Sequence, residues 1–145
     1  MKHYISTSTT QNIFRVLLAI FMIYAGISHL SFNRMDFQAQ VPDWVPLEKD
    51  LVVILSGIVE IILGGSLLLW KNQRVYAGWA LAIFFILIFP GNISQYINAK
   101  DAFGALNSDS ARLIRLFFQP LLVVWALWSS NAWKAWRNRK MTSNG

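Results

Sequence analysis

The sequence has no cysteine, two histidines and only seven acidic residues in 145 positions. Without cysteine there is no disulfide, no thiolate nucleophile, no dithiol redox pair and no sulfur-ligated metal. His3 and His29 stand at opposite ends of the first apolar stretch, so one chain cannot bring two histidines to a metal, and none is expected. Charge is scarce too. Charged residues make up 14% and hydrophobic residues 55%, whereas soluble domains carry about 25% charged residues. No internal repeat, low-complexity segment or motif for nucleotide, haem or metal is present. These absences argue against a self-contained enzyme and leave an integral membrane protein. The net charge of +6 is then read side by side across a bilayer, not against nucleic acid.

Four apolar stretches remain, roughly Ile13–Leu30, Leu51–Trp70, Val75–Tyr96 and Leu113–Trp133. Each is near the ~20 residues that cross a hydrocarbon layer of ~30 Å. The runs are continuous rather than alternating, which requires helices. The first lacks a small-residue cleavage site after its apolar centre and is expected to be an uncleaved span. The expected fold is all-α, a transmembrane four-helix bundle in one domain (residues 1–145), with a loop over 31–50 and a basic tail over 134–145. The short KNQR turn (71–74) makes the second and third helices antiparallel neighbours.

Eight of the thirteen basic residues (Lys2, Arg15, Lys71, Arg74, Lys134, Arg137, Arg139, Lys140) fall on the side of the termini. Arg34, Lys49, Lys100, Arg112 and Arg115 fall on the other, with six of the seven acids. The positive-inside rule then places both termini in the cytoplasm, in a multi-pass protein of the cell membrane. Several conspicuous features have ordinary readings. Trp70, Tyr76, Trp79, Trp125, Trp128, Trp133 and Trp136 form an interfacial aromatic belt. The tail WKAWRNRK is a topology signal with weak attraction to anionic lipid. Arg15 can snorkel to the headgroups.

The seventh acid is the exception. Glu60 lies within SGIVEIILGG (56–65), near the bilayer midplane, where an ionisable group costs about 2.5–3.5 kcal/mol on insertion scales. Ser56, Glu60 and Gly64 follow at i, i+4, i+8 with Gly57 alongside, so the acid lies on a stripe of small residues that admits close helix approach. Glu60 is therefore expected to point into the bundle. His29, Asn92, Arg115 and Gln119 fall in the outer half of the other three helices. Together the five would line one polar cavity open to the outside, floored by Glu60 and covered by the 31–50 link. Pro90 and Pro120 each free a carbonyl four residues earlier.

AGISHL (25–30), VPDWVP (41–46), SGIVEIILGG, FPGN (89–92) and RLFFQP (115–120), in this order and spacing, resemble the DoxX family of small four-helix membrane proteins. The resemblance covers about residues 30–128. It implies a four-helix bundle with a polar cluster of His29, Glu60, Asn92 and Gln119. Relatives in that family include membrane subunits of thiosulfate:quinone oxidoreductase and partners in redox or detoxification complexes.

Two readings of the cluster follow. In the first, the protein is an accessory or binding subunit: it holds a small lipophilic ligand, a quinone being the candidate cofactor, or docks a redox protein partner. His29 and Glu60 would hydrogen-bond the ligand and relay protons. In the second, it is a small-molecule transporter or cargo-handling protein, with Glu60 as the coupling group. Beneath both stands a plainer alternative in which Glu60 is interhelical glue. The topology is directly checkable. Reporter fusions after Asn144 should report a cytoplasmic location, and fusions at Gln40 an external one; the reverse result at either position would overturn the orientation.

Overall fold

The computed structural model describes residues 7–99 and 108–143; Lys2, His3, Lys100 and Asp101 lie outside them. Its helices are α1 (Thr9–Leu30), α2 (Arg34–Phe37), α3 (Lys49–Leu69), α4 (Arg74–Ile97), α5 (Asp109–Ser129) and α6 (Ala132–Ser143). The protein is all-helical, and α1, α3, α4 and α5 are each long and apolar enough to cross a membrane. It is a multi-pass membrane protein. Large apolar side chains such as Ile20, Ile62, Leu87 and Leu121 point outward, as a bilayer-facing surface requires.

The first and fourth spans begin at serine caps. Ser8 caps α1 in a reciprocal capping box: Gln11 N–H donates to Ser8 Oγ (3.1 Å), and Ser8 N–H donates to Gln11 Oε1 (2.9 Å). Ser108 Oγ accepts from Ala111 N–H (3.2 Å) at the start of α5. These caps carry the helices a few residues beyond the apolar runs. α5, by contrast, stops at Ser129, four residues short of the expected end. Asn131 adopts a left-handed backbone (φ 59°), which breaks the helix, and the expected tail is a second helix, α6. The 31–50 link is also not plain loop, since it forms α2 and a 3-10 turn over Gln38–Gln40.

The spans form a ring, α1–α3–α4–α5 and back to α1. α1 packs most extensively on α3, and α4 on α5, while α3 and α4, joined by the tight turn, touch more lightly. The two ends of the bundle differ. At the loop end, α1 leaves for the 31–50 link. At the turn end lie the start of α1, the α3–α4 turn and the α5–α6 corner.

Lipid offers no hydrophobic drive for helices to associate, so backbone proximity and packing decide. α1 and α3 meet through small residues. A Cβ on Gly26 would lie 2.6 Å from Gly57 O, and one on Gly57 would lie 2.9 Å from Gly26 O. A Cβ on Gly64 would lie 2.9 Å from Ala19 O. The two contacts are seven residues apart on each antiparallel helix, two turns of one continuous seam. The buried stripe of α3 is thus Val53, Gly57, Glu60, Gly64 and Leu67. Ser56, expected on it, is only half-buried.

The seam makes the glycines distinguishable. Gly57→Ala and Gly64→Ala should each destabilise the bundle by roughly 1–3 kcal/mol through overpacking. A Cβ on Gly65 would meet nothing within 4 Å, so Gly65→Ala should be neutral or stabilise by roughly 0.5–1 kcal/mol. Unfolding of the three variants in one detergent decides it, and equal losses from all three would refute the seam.

Candidate functional site

Side chains on a helix lean toward its N-terminus. α1 runs toward the loop end and α3 away from it, so His29 leans down into the bundle while Glu60 leans up. The two converge. Glu60 Oε2 lies 2.8 Å from His29 Nδ1, and both side chains are buried. The Gly26–Gly57 contact permits this, since Gly57 faces the His29 Cβ directly.

The same Nδ1 lies 2.8 Å from the carbonyl oxygen of Ala25. A carbonyl can only accept, so Nδ1 bears a proton, and in the neutral ring Nε2 is the acceptor. One N–H cannot point straight at two oxygens. The distances treat them alike, but the direction favours Ala25: among the described residues no hydrogen bond is aimed at the buried Glu60 Oε2. Glu60 is thus in contact with His29 without being satisfied by it.

The second half of the group lies between α4 and α5. Gln119, 1% exposed, donates from Nε2 to Phe85 O (2.9 Å). Its Oε1 accepts from Asn92 Nδ2 (3.2 Å) and from Arg115 (3.2 Å). Pro90 bears on this contact, though not at the expected atom. Proline deprives the Ile86 carbonyl of its donor and crowds the turn before it, and Gln119 bonds the neighbouring Phe85 carbonyl. Arg115 is therefore part of the group.

Two surface grooves lie elsewhere, one beside Leu69, Trp70, Asn72 and Gln73, the other among Phe14, Leu121, Val124, Trp125 and Trp128. The expected cover is present. The Phe37 ring stacks on His29 with 3.4 Å between centroids and 13° between planes. Arg34 clamps the link to α3 by a forked pair with Asp50, one arm at 2.6 Å, and Gln38 adds a bond to the same carboxylate (3.2 Å). The Asp50 hydrogen bond holds the Arg34 guanidinium above its ordinary pKa, so this clamp stays ionised on the arginine side. Val41 and Pro42 are buried behind it, and the Gln40 carbonyl rests against Gly91, where a side chain would collide.

All five expected residues are thus found at the loop end, as two contacting sets. Arg15 is the residue misplaced by sequence reasoning. It is 5% exposed, not snorkelling, because it lies on the same buried stripe as Leu18, Ala19, Met22 and Gly26. No group of three His, Cys, Asp or Glu side chains able to hold a metal occurs among the described residues.

The Gln119 junction can be weighed by a double-mutant cycle. Membrane hydrogen bonds average about 0.6 kcal/mol, with a maximum near 1.7. Gln119→Leu strands several partners at once and should cost more than Asn92→Leu, with the double variant falling short of additivity by roughly 0.5–1 kcal/mol. Strict additivity in unfolding measurements would show that the two side chains do not act together.

No curated protein and no solved structure matches the chain. A family model does match, over residues 18–130, a segment that runs from the middle of α1 to the α5–α6 corner and includes the whole polar group. The chain belongs to the family described as Domain of unknown function (DUF8561).

Proposed function

We propose that this protein is a membrane-embedded binding subunit. Its His29–Glu60 pair takes the polar head of a small lipophilic ligand at the loop end of the bundle. One observation carries the reading: Glu60 Oε2 is buried near mid-bundle, touches His29, and has no hydrogen bond directed at it. A buried carboxyl oxygen left in this state calls for a reason. A partner present only part of the time supplies one. A mobile proton supplies another.

The ligand class that fits is quinone-like. Such a head group, in its reduced form, donates a hydroxyl to the free Nε2 acceptor of His29, lies against the Glu60 carboxyl, and has an apolar tail suited to the surrounding helices. Entry would require Phe37 to lift from His29, and the Arg34–Asp50 clamp sets how readily the link moves. The resemblance to DoxX proteins supports the same reading and extends it to a redox protein partner, while the excess of Lys and Arg on the side of the termini supports cytoplasmic termini and an external link. The plainer role of Glu60 as interhelical glue makes the opposite forecast for one substitution.

Glutamine keeps the shape of a neutral glutamic acid but cannot ionise. Glu60→Gln should therefore fold with wild-type thermal stability and lose the ligand, read as quinone content by mass spectrometry of protein purified in mild detergent. Glu60→Leu should lose both. A Gln variant that folds and retains wild-type quinone content, or wild-type protein that carries none from quinone-replete membranes, would overturn the proposal.

A further inference from the structure

The α5–α6 corner is fixed far more firmly than a solvated tail requires. Ser129, Ser130 and Ala132 are fully buried. Ser130 Oγ donates to Ala126 O (2.7 Å), and Ala132 N–H reaches back to Ser130 Oγ (3.4 Å). The far end of α1 joins in: Gln11 Nε2 donates to Asn131 Oδ1 (2.8 Å) and to Trp128 O (2.9 Å). Across from this corner Gly78 leaves room for Ser130 that a methyl group would occupy. α6 packs on α4 as well as α5, so its direction is set by three of the four spans.

What it holds out is not a random mixture. Trp133, Trp136, Arg137 and Lys140 follow at i, i+3, i+4, i+7 with Met141 beside them, one exposed face of a twelve-residue helix. Lys134 flanks it. Trp133 and Trp136 are in ring contact at 5.6 Å, and Lys140 Nζ lies 4.3 Å above the Trp136 ring. Asn138, Arg139 and Thr142, with Ala135, take the opposite side. Tryptophan and basic side chains share the headgroup layer of a bilayer, the ring at the acyl boundary and the cation on phosphate. At the turn end the sequence offers basic residues and no acid: none occurs in 1–30, 61–99 or 110–145. The whole end is thus complementary to an anionic surface.

We propose that α6 is an interfacial helix that binds anionic phospholipid headgroups through Lys134, Arg137 and Lys140, with Trp133, Trp136 and Met141 seated at the acyl boundary. This site is separate from the Glu60 group and does not depend on the proposed ligand. The cysteine-free chain makes the test simple. A polarity-sensitive fluorophore is placed on Met141→Cys, and in a second sample on Asn138→Cys, of the full-length protein. Both samples are reconstituted in nanodiscs of phosphatidylcholine with or without phosphatidylglycerol. Phosphatidylglycerol should shield the label at 141 from acrylamide and shift its emission to the blue, with little change at 138. High salt should reverse the effect, as should the triple variant Lys134→Ala, Arg137→Ala, Lys140→Ala, whose unfolding temperature should match wild type because the core is untouched. Equal exposure at 141 in both lipids overturns the proposal. Shielding that survives the triple substitution, or that arises only when an acidic protein is added, overturns it too.

Discussion

The contact on which the rest depends is the backbone approach of α1 to α3 at Gly26–Gly57 and Ala19–Gly64. It is steric rather than polar, and it is what a bilayer permits, since helices in lipid gain nothing by merely hiding apolar surface. A Cβ on Gly26 or Gly57 would push the helices apart at the level where His29 meets Gly57. With that gap widened, a histidine leaning down and a glutamate leaning up would no longer touch. The acid near mid-bundle is therefore tolerable because of glycines that carry no chemistry themselves.

The two halves of the polar group differ in kind. Around Gln119 the bonds are complete: its oxygen accepts twice and its nitrogen donates to a backbone carbonyl. This half is built to hold α4 against α5. Around Glu60 the arrangement stops short, with a histidine that gives its proton to its own helix and a carboxyl oxygen left in contact only. Both halves lie under a link that is itself clamped and stacked in place. A protein that needed glue alone could have repeated the Gln119 pattern between α1 and α3. The contrast within one molecule favours a role for Glu60 beyond cohesion.

Much of this was legible in the sequence, and the reasons for the misses are physical. Span number, antiparallel order and the inward aspect of Glu60 follow from apolar length and from helical periodicity. The small-residue stripe was right as a feature but off by one position, because Ser56 and Gly57 are adjacent and only the partner helix decides which faces it. Arg15 was misjudged by depth: its nearness to the helix start suggested snorkelling, while its spacing to Leu18, Ala19 and Met22 already placed it inward. The Phe85 carbonyl had no signal of its own, since proline marks a weakened turn and not the atom that a side chain finds. α6 did have a signal in the i, i+3, i+4, i+7 run of Trp133, Trp136, Arg137 and Lys140, obscured by an abundance of basic residues that topology alone explains.

The ends of the bundle are thereby given opposite work. Acidic side chains gather at the loop end, each described ion pair lies there, and the link that carries them is held by Arg34–Asp50 and Lys49–Asp43. That is an end whose cover can be loosened by breaking a few polar contacts. The sequence segments at the turn end carry basic residues and no Asp or Glu, and the corner is locked by buried serines, a left-handed asparagine and a close glycine. An end so rigid and so uniformly charged is suited to a fixed surface of opposite charge.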